Sequence, residues 1–201
     1  MLSLPFTSQY GLHAIFKKYS DENTGVNIEI EELEERELME SFALANGDIY
    51  LLREITATDN NLVYKTLIQD EISLFVSNNH PLAKNQSVSM EQLSNERFMW
   101  LPKDSGAHKL CMQGCLSAGF TPNVKTSHRI ENIISQVSVG RVSALLPSSN
   151  KNSFKLKDIN VIPVQPIISC NIVAVLAPNL GDKPNKNYCK KLVSYIKENA
   201  E

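Results

Sequence analysis

No stretch of this sequence stays apolar for the roughly 20 residues that a bilayer-crossing helix needs. Met1 leads into neither a basic segment nor a long apolar signal core. A cytoplasmic protein with no membrane partner is the expectation. Charge of one sign is lacking too, since 20 Lys and Arg stand against 22 Asp and Glu. Such a balance supplies no positive field to hold the phosphates of a nucleic acid. The densest charged run, Glu29 to Glu40, is acidic apart from Arg36 and reads as a solvated helix face. Four cysteines fall far short of a disulfide framework and fit buried thiols in a reducing compartment. Gly-x-Ser-x-Gly, a P-loop, a dinucleotide fingerprint and His-Glu-x-x-His are all missing. Nothing therefore calls for an enzyme, a cofactor or a bound metal.

What is present is an alternation of short β-rich runs with amphipathic helical stretches over 201 residues, enough for one large domain or two small lobes. Leu2 to Leu4 reads as a strand that passes through Pro5, Phe6, Thr7 and Ser8 into a helix with Leu12, Ile15, Phe16 and Tyr19 on one face. A strand alternating Val26, Ile28 and Ile30 follows, then a helix carrying Leu38, Phe42 and Ala45 that Asn46-Gly47 is expected to stop. Asp48 to Leu52 is the next strand, and Leu62 to Leu67 with Ile72 to Val76 reads as a strand pair around a turn near Gln69-Asp70. Beyond His80-Pro81 the order begins again, with strands at Phe98 to Leu101, Asn123 to Ser127 and Val142 to Leu146 and helices at Ala107 to Ala118 and Ile130 to Val139. Ile159 to Val164 and Asn171 to Ala177 are strand-like, and Pro184 opens a last helix with Tyr188, Leu192, Tyr195 and Ile196 on its stripe. These closing elements need a sheet to pack on. The economical arrangement returns them to the first half, giving lobes at 1–79 plus 165–201 and at 80–164, two connections and a ligand cleft between the lobes.

Several of these residues resemble a known family. The strand and turn from Glu71 to Ala83, ending His80-Pro81-Leu82-Ala83, are similar to the hinge of LysR-type effector-binding domains. Val88-Ser89, Leu93, Phe98 to Gly106, Cys115 to Pro122, Ile133 to Val137 and Val139 to Pro147 follow in the family's order. Upstream, Phe16 to Tyr19, Gly25 to Ile30 and Leu44 to Asp48 resemble its first lobe. Gly140-Arg141-Val142 departs from the usual Gly-rich stretch, and the longer loop from Tyr19 to Gly25 replaces the usual Tyr-Pro pair. The resemblance implies two Rossmann-like lobes of the periplasmic-binding-protein type. It also implies a small-molecule effector, and DNA contact only through a winged helix-turn-helix that this sequence does not contain. Homodimerisation through Tyr10 to Asp21 and Ile130 to Val139 belongs to the same implication.

Ligands of open α/β sheets collect at strand carboxyl ends beside helix N-termini. The turn of Pro5, Phe6, Thr7 and Ser8 and the turn of Lys103, Asp104, Ser105 and Gly106 are such places, and the resemblance has them face each other across the cleft. Thr7 resembles a common hydroxyl contact of the family. Hydroxyls and amides suit a carboxylate or other small anion. Arg53, His128 and Arg129 lie at strand ends where they could add charge, and Asp104 is expected to cap the following helix. His108, Cys111 and Cys115 share a helix side at zinc-ligand spacing, but they read as its buried stripe. A solute-binding protein for transport is the alternative with the same architecture.

Overall fold

The computed structural model describes residues 1–154 and 156–200 and, within them, every side chain except that of Asp182. The chain builds two compact units, Met1–Gln69 with Asn171–Glu201 and Asp70–Cys170. In chain order the first unit contributes β1 (Leu2–Ser3), α1 (Leu12–Glu22), β2 (Glu31–Glu32), α2 (Glu35–Ala43), β3 (Ile49–Arg53), α3 (Glu54–Asp59) and β4 (Tyr64–Ile68). The second holds β5 (Ile72–Ser77), β6 (Val88–Ser89), β7 (Arg97–Trp100), α4 (Gly106–Ser117), β8 (Asn123–Thr126), α5 (Ile130–Ser138), β9 (Ala144–Pro147), α6 (Asn150–Ser153) and β10 (Ile159–Gln165). The chain then returns to the first unit with β11 (Ile172–Leu176) and α7 (Lys186–Asn199).

The first unit's sheet runs β2-β1-β3-β11-β4. Its first three strands are parallel, and β11 lies antiparallel between β3 and β4. All five residues of β3 are buried, the apolar run Ile49 to Leu52 in the core and Arg53 at its end. Leu12, Phe16 and Tyr19 of α1 and Leu192, Val193 and Ile196 of α7 join this core. The last helix is rotated from its expected stripe, burying Cys189 and Val193 and leaving Tyr188 exposed. The strand expected over Val26 to Ile30 shrinks to Glu31–Glu32, because β1 is only two residues long and offers no further ladder positions. The helix stop also differs: Ala45, at φ 52, takes the left-handed position. Ala45 N–H donates to Phe42 O at 3.0 Å and Asn46 N–H to Ser41 O at 3.1 Å, a Schellman pattern. Gly47 serves packing instead, since a Cβ there would lie 3.2 Å from Leu2 and from the Tyr50 ring.

In the second unit the order is β6-β10-β5-β9, with β7 and β8 forming a parallel pair. A parallel bridge between Phe98 and Ser143 joins the pair to β9. Thus β7, β8 and β9 point the same way. The fully buried β5 pairs antiparallel with β10 and β9. Residues 70–79 and 165–170, expected in the first lobe, therefore lie in the second unit, where the ladder partners of β5 are. β4 and β5 are not a pair, and the expected turn at Gln69-Asp70 is the passage from one unit to the other. Buried side chains from β5, β7, α4 and β10 fill one core, and Phe75, Ile133, Val137 and Leu146 another.

Candidate functional site

In the first unit the carboxyl ends of β2, β1 and β3 bring Glu32, the 4–11 segment and Arg53 to one side of the sheet. The segment after β1 is not an open row of amides. Phe6 N–H donates to Leu4 O at 2.8 Å, Gln9 N–H to Phe6 O at 3.0 Å and Gly11 N–H to Ser8 O at 3.2 Å. Helix α1 starts only at Leu12, behind Gly11 at φ 62. The expectation that the turn after β1 opens the helix with free donors is thus corrected in part: Phe6 and Gln9 spend their N–H groups in tight turns, and Thr7 spends its own on Glu32. Phe6 and Thr7 are buried, whereas Pro5 and Ser8 are exposed.

Thr7 has no exposed surface. Its amide donates to Glu32 Oε1 at 3.1 Å, and its hydroxyl donates to the same oxygen. His13 Nε2 lies 3.0 Å from Thr7 Oγ1. Arg53 is the last residue of β3 and is 6% exposed, not a solvated loop cation. Its Nη1 donates to Tyr10 Oη at 2.8 Å, and its guanidinium carbon lies 5.1 Å from the Phe6 ring centre and 5.7 Å from that of Tyr10. The two rings meet edge to face at 5.8 Å. Desolvated cation–π contacts of this kind contribute about 2 kcal/mol and hold the cation in place.

In the second unit the carboxyl ends of β7, β8 and β9 carry residues 103–106, 127–129 and 148–150. Ser105, not Asp104, caps α4: its Oγ accepts from His108 N–H at 3.2 Å and donates to Pro102 O at 2.9 Å. Asp104 and Lys103 are exposed, and Gly106 is buried in the first helical turn. Ser fits the cap because its hydroxyl can serve a helix donor and a turn carbonyl together. His128 and Arg129 are exposed. Beside them Ser127 ties the turn, accepting from Arg129 N–H at 3.2 Å and from Asn132 Nδ2 at 3.2 Å. Sequence reasoning missed Ser149 and Asn150, which are buried after β9, with no hydrogen-bond partner for Ser149 Oγ or Asn150 Oδ1 among the described residues. The rule about strand carboxyl ends would have found them, applied to Pro147. It would not have found His13 and Glu32, whose places depend on packing.

The His108, Cys111 and Cys115 stripe is structural. His108 Nδ1 lies 2.9 Å from Leu101 O, so Nδ1 carries a proton, and the imidazole meets the Trp100 ring edge-on at 5.3 Å. Among the described residues no three His, Cys, Asp or Glu side chains group to hold a metal. The four cysteines are buried thiols, not disulfides. Burial, helped by Cys170 and Cys115, pushes the Cys111 thiol well above its usual range, and burial raises Cys115 to about 12.

Two α/β units joined by two chain crossings define a protein of the periplasmic-binding type. Residues 2–183 match the model of the LysR substrate binding domain. The chain belongs to that family. It is 31% identical over 113 residues to the transcriptional dual regulator GltC of Bacillus subtilis, covering 56% of this chain and 38% of GltC. With the regulator AlsR of the same organism identity is 28% over 148 residues, 72% of this chain and 49% of AlsR. The chain thus spans half or less of these relatives, and their description as regulators favours the regulator reading over transport. In fold it is similar to the reduced OxyR regulatory domain of Pseudomonas aeruginosa, with a TM-score of 0.79, 16% identity and coverage of 98% and 95% of the two chains. A cysteine mutant of OxyR from Corynebacterium glutamicum gives a TM-score of 0.83 at 14% identity, with coverage of 98% of this chain and 62% of that one. Among the described residues no helix is long and apolar enough to cross a membrane.

Proposed function

We propose that this chain is the effector-sensing part of a LysR-type transcription regulator and takes a small organic anion. The candidate contacts in the first unit are Phe6, Thr7 and Ser8 with Arg53, and those in the second are Lys103, Ser105 and Gly106 with His128 and Arg129. The observation that carries the reading is Arg53, a cation held between Phe6 and Tyr10 where the parallel strands end. A guanidinium fixed in this way has already lost rotamer freedom and brings positive charge to the strand ends, which favours an anion there. Binding shifts the populations of the domain's conformations and, through a DNA-binding segment of the longer protein, changes promoter contact. The proposed working state is a cytoplasmic homodimer paired through α1 and α5, and the ligand is bound without being turned over.

Thermal-shift screening of small organic acids tests this. A true ligand at about 100 times its Kd stabilises the folded state by about 2.7 kcal/mol. Arg53→Met should abolish that increment. A confirmed ligand that stabilises the variant as strongly as the parent would put the site elsewhere, and chemical conversion of the ligand would remove the assignment as a sensor.

A further inference from the structure

Thr7 already has an anion. Two of its donors, the amide and the hydroxyl, converge on Glu32 Oε1. The carboxylate can only accept, so the Thr7 hydroxyl proton points at Glu32. The group facing the Thr7 Oγ1 lone pair, His13 Nε2 at 3.0 Å, must then be the donor of that contact. A directed relay results, from His13 through Thr7 to Glu32, closed by the amide. A buried hydroxyl requires a partner, but the partner need not be charged and need not come from a residue 25 positions away.

The fold does not require Glu32 for its own sake. β2 is fastened by backbone bonds, Glu31 N–H to Met1 O at 3.1 Å and Leu33 N–H to Ser3 O at 2.8 Å. Glu32 is exposed on this edge strand, and its side chain reaches inward to a fully buried threonine. A carboxylate on a short edge strand is the part of the arrangement that can leave while the sheet stays paired.

We infer that Glu32 is an internal stand-in for a ligand carboxylate, which occupies the Thr7 donors until a small carboxylate displaces it. The inference rests on the proposed anion site and names the residue that sets its threshold. An entering anion must replace the Glu32 hydrogen bonds and sit near a like charge, and both effects weaken its binding. Selectivity follows: a ligand carboxylate with additional partners at the site can compete, whereas a bare monocarboxylate binds poorly. Removing the Glu32 charge should therefore strengthen binding of even a bare carboxylate.

The test uses acetate as the probe, titrated into the 15N-labelled chain while the Thr7 amide resonance is followed by NMR, with sodium chloride as the ionic-strength control. In the parent the Thr7 amide should move only at high acetate. Glu32→Gln keeps the shape and removes the charge, and should tighten the acetate response about tenfold, the factor that 1.4 kcal/mol represents. Glu32→Ala should act in the same direction, and Thr7→Ala added to Glu32→Gln should reverse most of the gain. If both Glu32 variants bind acetate at Thr7 no more tightly than the parent does, the stand-in role is overturned while the site reading survives. A gain that persists undiminished in the double variant is charge acting at a distance, and it also overturns the inference. No acetate-dependent movement of the Thr7 amide in any of these proteins overturns the inference and the anion site together.

Discussion

Ser105 heads the second unit's candidate turn and also caps α4, and substitution separates the two roles. Ser105→Ala removes the Oγ that accepts from His108 N–H at 3.2 Å and donates to Pro102 O at 2.9 Å. Loss of a Ser cap costs about 1 kcal/mol. Pro102 is half-buried, so water can take over its carbonyl and that bond adds little. With a urea m-value of about 2 kcal/mol/M, the unfolding midpoint should fall by about 0.5 M. The assay is built in, because the single tryptophan, Trp100, is buried in this unit with its ring 5.3 Å from that of His108. Its fluorescence therefore follows the unit that α4 belongs to. Ser105→Asp, another good cap, should recover most of the loss, and Ser105→Gly should cost only a few tenths of a kcal/mol. Equal midpoints for Ser105→Ala and the parent, or an aspartate worse than alanine, would refute the cap and leave the hydroxyl available for ligand alone.

Two further outcomes are expected. Asp48 accepts from Lys183 at 2.8 Å, and this bond holds its carboxyl below the usual range against the opposing effect of burial. A depressed folded value contributes stability above the unfolded value of about 3.9 and loses it as pH falls through the lower folded one. Both partners are about one-third exposed, so Asp48→Asn should cost only about 0.5 kcal/mol at pH 7. The gap should close as the pH drops below about 4, and a gap that stays constant into acid would contradict the assignment. The buried thiols, with Cys115 raised to about 12, should resist an aromatic disulfide reagent in the native protein and all four should react in denaturant. Rapid labelling of any one of them under native conditions would overturn that.

Local periodicity made most elements legible. The spacing of Leu12, Phe16 and Tyr19 places α1, and that of Ile133 and Val137 places α5, because a helix returns to the same face every three or four residues whatever surrounds it. The β-branched and aromatic runs at Ile49 to Leu52 and Ile72 to Val76 likewise announce buried strands. The ordered motifs from His80 to Pro147 carried the resemblance to the family that the whole-domain match establishes. The resemblance also drew attention to Thr7 and Ser105, although not to what holds them.

Pairing lay beyond that reach. Ile72 to Ser77 is equally good as a strand of either lobe, and only its ladders to residues 144–147 and 159–163 put it in the second unit. Periodicity says which face of a strand is apolar but not which strand lies beside it. The same holds for the site: Glu32 meets Thr7 across 25 positions and Arg53 meets Tyr10 across 43. Sequence by itself determined most of the elements, the family and the hydroxyl-bearing turns worth testing. Tertiary structure decided which donors were already taken, since a hydrogen bond depends on ångström-scale approach and no local pattern encodes the distance between residues that the sheet brings together.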